Sequence, residues 1–416
     1  MSPNSSPPPS AMPAAAGGAP RGTALRLGAF YGAIFAFIGV QLPFWPVWLK
    51  AQGLDPAALS LVLSAPVWLR LAMPAVAPWV DRSGLRRQAI VAGMWLSVAA
   101  LAAFALVTGF WPLLIVSVWL GLVFGPLVPL ADNLTMLHVY AWNLDYGRIR
   151  LWGSVTFILA NLGAGALLGD FPVDVILYLL LALAVIGGLI ALALPAAPDT
   201  AGRSQSSASE ATPTPPVAAG RPLRGLLRQK LFLLFMLSGA LAQSSHAMLY
   251  AFGSLHWQSI GIPDPVIGLL WAVGVVAEIA LFAVSNRAVR LCGPIGLLLA
   301  GAAAGILRWT ATAFTADLAI LLALQVLHGL TFGAAHLGAM HFIARAVARP
   351  WSATAQVLYS AASGGVGLGL GLLVAGQLYA RFGFLSMLAM ALVSTLALAG
   401  FVWLALRWRG RLMGPA

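Results

Sequence analysis

Apolar runs of about 20 residues recur along the whole chain, separated by short polar segments that hold most of its charge. A helix needs about 20 apolar residues to cross about 30 Å of hydrocarbon. Twelve spans are predicted. Six lie at residues 25–49, 57–80, 88–107, 112–137, 150–169 and 173–194; six more lie at 231–255, 265–285, 293–311, 318–342, 352–378 and 384–406. Between the sixth and seventh stands DTAGRSQSSASEATPTPPVAAG, a Ser, Thr, Pro and Ala stretch that cannot form a packed core. The pattern predicts an all-α integral membrane protein with bundles of six helices at 25–195 and 231–406, and a linker at 196–230. Residues 1–24 are expected to form a disordered tail, and 407–416 a second tail.

Composition agrees with this pattern. Hydrophobic residues make up 61% of the chain and charged ones 8%, against about 25% charged in a soluble domain. The net charge of +12 does not point to nucleic acid, because the arginines sit at helix ends rather than on one face. Of the 23 lysines and arginines, all but Lys50, Arg70, Arg308 and Arg381 fall on the segments that share a side with the termini. The opposite side carries Lys50, Arg381 and, near its helix end, Arg308, with Asp55, Asp170, Asp174, Asp264 and Asp317. Positive charge marks the cytoplasmic side, so both termini are expected there, in a bacterial-type inner membrane. The single Cys292 excludes a disulfide framework.

Small residues punctuate the spans. Gly165 and Gly169 are four apart, as are Gly365 and Gly369, and Gly367 and Gly371. This spacing lets helix backbones approach closely in lipid; it serves plain packing or a rocking movement between two open states. Pro43 and Pro46 are expected to kink or break the first span.

Ionisable groups inside the hydrocarbon are costly and face a cavity or a partner. Glu278 lies eight residues before Asn286, about 12 Å at 1.5 Å per residue, and is therefore near mid-membrane. Two readings stand for it: a proton carrier, since a half-dry carboxyl group takes up and releases protons near neutral pH, or half of a structural ion pair. Arg308, on the next span, is placed to neutralise Glu278 or to hold an anion. Arg70 and Asp132 have the same two readings. His328, His336 and His341 point in different directions at about 100° per residue, so they form no metal site on one face. His328 is the deepest of them. There is no GxxxxGK[ST] loop, no HExxH and no paired cysteine ligand set. Neither ATP, a metal nor another cofactor is expected, and nothing groups an enzyme's acid, base and nucleophile.

The turn APWVDRSGLRRQ, residues 77–88, resembles the Asp-Arg-x-Gly-x-Arg-Arg loop of the major facilitator superfamily; NRAVRLCG, residues 286–293, is similar to a degraded second copy. The resemblance implies a gating role for Asp81, Arg82, Gly84 and Arg86. DYGRIRLWGS, GILRWT and QVLHGLTFGAAHLGAMHFI resemble the phenylpropionate-permease group, a relative of the lactose permease branch. By that likeness Arg150 and Asp132 match a sugar-binding arginine and its acidic partner. Phe157 takes the place of a sugar-stacking tryptophan, and His328 matches a coupling histidine. The proton-carrying glutamate three residues later is replaced by Thr331, which leaves Glu278 as the acid for coupling.

These features lead to a proton-coupled symporter of a small organic solute, an aromatic carboxylate or a sugar, embedded as a monomer in the lipid bilayer. Arg70, Arg150 and Arg308 would attract an anion, and aromatic side chains such as Phe157 and Trp309 would flank its ring. An exporter of drugs or metabolites is the alternative within this class. A non-transporting receptor or assembly factor is the alternative outside it, and predicts that the intramembrane charges pair off fully.

Overall fold

The computed structural model describes residues 20–72, 84–198 and 220–413. The expected N-terminal tail, most of the expected linker, and Asp81 and Arg82 lie outside them. The first half contains α1 (Thr23–Ala51), α2 (Pro56–Trp68, running into a 3-10 turn at Leu69–Ala72), α3 (Arg86–Phe104), α4 (Phe110–Trp142), α5 (Tyr146–Asp170) and α6 (Val175–Leu192). After a short helix at Gly220–Leu227 come α7 (Lys230–Ser259), α8 (Asp264–Ala283), α9 (Ser285–Phe314) and α10 (Leu318–Ala346). The last apolar stretch, Arg349–Arg407, turns at Gly383–Ser386 and divides into α11 (Arg349–Ser360 and Leu368–Phe382, joined by a π-helical turn) and α12 (Met387–Arg407). The described residues thus hold twelve apolar helices, and the protein is a multi-pass membrane protein.

The aspartates at one end of the bundle start or tie the helices there. Asp55 and Asp317 cap α2 and α10, accepting from the backbone N–H of Ala58 at 2.8 Å and Ile320 at 2.9 Å. Each satisfies a donor that an uncapped helix leaves bare. Asp174 accepts from Trp48 Nε1 at 3.0 Å and ties the end of α1 to the start of α6. Asp264 accepts from Gln258 Nε2 at 2.6 Å across the α7–α8 turn.

The halves join along two glycine-lined seams, α5 against α8 and α2 against α11, and α1 also packs against α7. Glycines set their closeness. A Cβ on Gly268 would stand 2.5 Å from the Asn161 carbonyl oxygen, and one on Gly165 2.5 Å from that of Asp264. The glycines of α11 divide between two partners. Gly365 and Gly369 meet Leu71 and Trp68 of α2, whereas Gly367 and Gly371 meet Ala240 and Ser244 of α7. One face therefore serves the seam and the other packs within the C-terminal half.

Three local expectations change. The first helix continues through Pro43 and Pro46 without breaking. The segment 286–293 is helical rather than a loop, and the chain turns instead at Gly293 (φ 66°, ψ 170°), after which Pro294 opens the next helix. Gly84, in the first copy of that motif, also has φ +68°, a conformation that costs side-chain-bearing residues about 1–2 kcal/mol. Finally, α10 widens into a π-helical turn at Gly329–Ala334. His328, Phe332 and His336 form one stack there, with ring centroids 5.3 and 6.5 Å apart, rather than pointing apart. The i→i+5 bonding of that turn brings residues four apart closer to register.

The α5–α8 seam is testable. Gly268→Val should cost it about 1–3 kcal/mol by overpacking. In a Cys292→Ser background, a cysteine placed at the buried Ile267 should stay unlabelled by maleimide and become labelled when Gly268→Val is added. Unchanged labelling would show that the close approach does not hold the seam shut.

Candidate functional site

Among the described residues, the charged side chains within the bundle gather in two polar groups. In the N-terminal half, α1 presents Tyr31 and Phe35, one helical turn apart. Tyr31 donates to Asp132 Oδ1 of α4 at 2.5 Å, and Tyr146 of α5 donates to the same oxygen at 3.0 Å. Arg150, one turn beyond Tyr146, lays its guanidinium over the Phe35 ring at 3.8 Å, with Tyr31 at 5.3 Å. A Cβ on Gly153 would meet Arg150 Nη1 at 2.8 Å and Phe35 at 3.0 Å, so this glycine makes room for the stack. The expected Asp132–Arg150 pair is not what forms: two phenol hydroxyls hold the acid and an aromatic face holds the base. Both charges are thereby satisfied without an ion pair.

The second group belongs to the C-terminal half and centres on Arg308 of α9, which is 1% exposed. Its Nη2 donates to Gln325 Oε1 at 2.7 Å, and its Nη1 to Thr331 Oγ1 at 3.0 Å and His328 Nδ1 at 3.1 Å. Trp309 lies 4.6 Å from the guanidinium, and Nε finds no partner among the described residues. Arg308 does not neutralise Glu278 directly, because His328 stands between them. Arginine is always a donor, so His328 Nδ1 accepts and its proton sits on Nε2, which lies 3.8 Å from Glu278 Oε2. On the other side, His246 Nδ1 is 3.2 Å from the Ala242 carbonyl, which can only accept, and Nε2 is 3.2 Å from Thr331 Oγ1. The network thus assigns His328 as neutral with its proton on Nε2, and it places a proton on His246 Nδ1, with Nε2 turned to the Thr331 hydroxyl.

The two groups face each other across the α5–α8 seam: Gly165 meets Asp264 and Gly268 meets Asn161, an antiparallel register that sets Arg150 opposite Glu278. Glu278 and His328 are partly open, with side chains 20% and 13% exposed. The other candidates lie apart. Phe157 is buried at 7% exposure, its backbone against Gly39 of α1, and Phe35 is the aromatic that meets Arg150. The Arg70 side chain lies outside the described residues, like Asp81 and Arg82. Near Gly84 and Arg86, the neighbouring Arg87 donates to the carbonyl of Leu192 at 2.7 Å, tying α3 to the end of α6. Two cavities of about 610 and 390 Å³ lie at the aspartate end, beside Asp55 and Gln377 and beside Lys50 and Gln258, away from the buried charges.

Residues not singled out in the sequence complete the site: Tyr31, Phe35, Tyr146, His246 and Gln325; Thr331, read in the sequence as the place of a lost acid, joins them as a hydroxyl. The run Gln243-Ser244-Ser245-His246, in mid-span, was a legible signal for His246. Tyr31 and Phe35 gave none beyond their spacing.

Solved structures with this architecture are membrane transporters. The crystal structure of the nucleoside transporter NupG superposes with a TM-score of 0.80 at 19% identity, over 93% of this chain and 100% of that one. A bacterial homologue of the human lysosomal transporter Spinster, inward-facing and unoccupied, gives 0.68 at 15% identity, over 92% and 96%. These fix the fold class, and sequence fixes the family. The model of the MFS_1 like family matches residues 24–390, and the chain belongs to that family within the major facilitator superfamily. It is 36% identical to the probable 3-phenylpropionic acid transporter of Escherichia coli (strain K12), over 88% of this chain and 93% of that one. It is 27% identical to the maltose permease of Geobacillus stearothermophilus, over 88% and 90%. The protein is accordingly a secondary transporter of small organic solutes, not an enzyme.

The tyrosine clamp on Asp132 carries a prediction. Tyr31→Phe and Tyr146→Phe should each lower the stability of purified protein by about 1.5–3 kcal/mol, the worth of a hydrogen bond to a charged group. Thermal unfolding in detergent reads this as a lower midpoint, and the double variant should fall further than either.

Proposed function

We propose that this chain is a proton-coupled symporter of an aromatic monocarboxylate of the 3-phenylpropionate type, driven without ATP. The observation that carries the proposal is Arg308. It is a buried guanidinium with five donors, of which three serve Gln325, Thr331 and His328, and no carboxylate among the described residues pairs with it. Burying a charge without a counter-ion costs several kcal/mol, and an anionic cargo taking two donors from one guanidinium supplies the missing partner. Trp309 supplies an aromatic wall at the same residue. A receptor or assembly factor would have no use for an unpaired buried cation.

Glu278 is the proton carrier in this reading. It is the acid next to the network, reached through His328, in a family member whose helix-ten acid is replaced by Thr331. We further propose that the membrane is a bacterial-type inner membrane with both termini cytoplasmic. In that orientation the α5–α8 seam, where Gly165 meets Asp264 and Gly268 meets Asn161, closes the periplasmic side. The expected gating role of Asp81, Arg82, Gly84 and Arg86 belongs to the cytoplasmic side, and the division at 196–230 separates the two bundles that rock.

Proteoliposomes test the reading. An acid-outside pH gradient should drive protein-dependent influx of labelled 3-phenylpropionate above that of protein-free vesicles, with maltose and uridine remaining at background. Arg308→Gln should raise KM about 30-fold, the equivalent of about 2 kcal/mol of charge-assisted bonding. Its folding is checked by gel filtration and thermal unfolding. Uptake of maltose or uridine in preference to the carboxylate would overturn the assignment.

A further inference from the structure

The charges around Glu278 carry the proposed function one step further. Each helix packed against α8 presents a defined group. Helix α10 presents His328 at 3.8 Å, and α5 presents Arg150, which the antiparallel α5–α8 register sets opposite Glu278. Helix α9 presents Arg308 through His328, and α7 presents His246, joined to the same network through Thr331, with Tyr250 at 5.7 Å between ring centroids. On α8 itself the other acid, Asp264, is engaged by Gln258 at the far end of the helix. His328 is neutral because its Nδ1 accepts from Arg308, His246 is tied through Nδ1 to the Ala242 carbonyl and through Nε2 to the Thr331 hydroxyl, and Asp132 is held by two phenols.

With Glu278 ionised, the two cations Arg150 and Arg308 are balanced in number by the two anions Asp132 and Glu278, although His328 keeps Glu278 from pairing with Arg308, and the site is neutral overall without cargo. Adding a carboxylate to that state would leave one anion in excess inside the membrane, which is costly. Protonating Glu278 removes one negative charge, and a single carboxylate restores the balance. The loaded and empty sites then carry the same charge, and neither reorientation moves a net charge across the bilayer.

Resting on the proposed symport of a carboxylate, we infer that cargo and Glu278 compete for one positive site, so that a monocarboxylate anion crosses only with one proton on Glu278 and the cycle is electroneutral. The balance is simple. A proton from the entry side adds to the Glu278 carboxylate, and R–COO⁻ binds at the arginines. After reorientation R–COO⁻ leaves, and the Glu278 carboxyl group gives its proton to water on the exit side. A neutral solute carried by the same proton would instead move one positive charge per cycle, and a dicarboxylate would leave one negative charge uncompensated.

The experiment clamps the membrane potential with potassium and valinomycin in proteoliposomes and reads protein-dependent influx of 3-phenylpropionate, subtracting protein-free vesicles to remove permeation of the free acid. Influx at fixed pH should be unchanged by a potential of about 100 mV of either sign. A cycle carrying one net charge would instead gain a driving force worth about 50-fold in accumulation. An internal pH dye should record one proton per substrate. Glu278→Gln, which stays uncharged, should retain counterflow between loaded sides with a rate independent of pH, and should lose net influx driven by a pH gradient. Influx that follows the potential, or net proton-coupled influx through Glu278→Gln, overturns the inference while leaving carboxylate transport standing. Absence of both influx and counterflow in the unmodified protein removes the transport reading, and the inference falls with it.

Discussion

The site is organised by the placing of one arginine where no carboxylate meets it. Arg308 is enclosed by α7, α9 and α10, and its hydrogen bonds go to an amide, a hydroxyl and an imidazole. None of these carries a compensating charge. An arginine cannot shed its proton to relieve the cost. Its surroundings therefore have to be oriented, and the fixed tautomer of His328 is the consequence. Orientation then passes outward: His328 directs an N–H towards Glu278, and Glu278 stands opposite Arg150 of the other half across the α5–α8 seam. A single buried cation thus links both halves of the bundle.

The backbone is arranged to let those halves meet and part. Gly268 and Gly165 bring α8 and α5 to carbonyl contact, and Gly365 and Gly369 bring α11 to α2. Such seams hold by close packing rather than by side-chain hydrogen bonds. Within each half, polar ties such as Arg87 to Leu192 and Trp48 to Asp174 fix helices to one another. The halves are thus internally pinned, while the contact between them rests largely on shape.

Much of this was legible in the sequence because membrane spans have few alternative readings. A run of 20 apolar residues between charged breaks admits little else, and the alternation of charge supplied the orientation proposed here. The spans on either side of residues 285–292 end and begin close to where the sequence puts them, at Ala283 and Pro294; what one dimension does not show is that the polar stretch between them is itself helical and turns at Gly293. Glycine spacing announced close packing but not its partner, and α11 uses two sets of glycines on two different faces. The rare charges Asp132, Arg150, Glu278 and Arg308 stood out singly. Their pairing did not, because Asp132 takes its donor from Tyr31, 101 residues away. Thr331 was read as a missing acid, and it is the hydroxyl that joins Arg308 to His246.

The most direct test of Arg308 as an anion site is equilibrium binding to detergent-purified protein, followed by the fluorescence of Trp309 against a Trp309→Phe control. 3-Phenylpropionate and its uncharged amide have the same ring and length and differ in charge. The account predicts that the carboxylate binds about 30-fold or more tightly than the amide, and that Arg308→Gln removes the difference. Equal affinities for the two in the unmodified protein would contradict it.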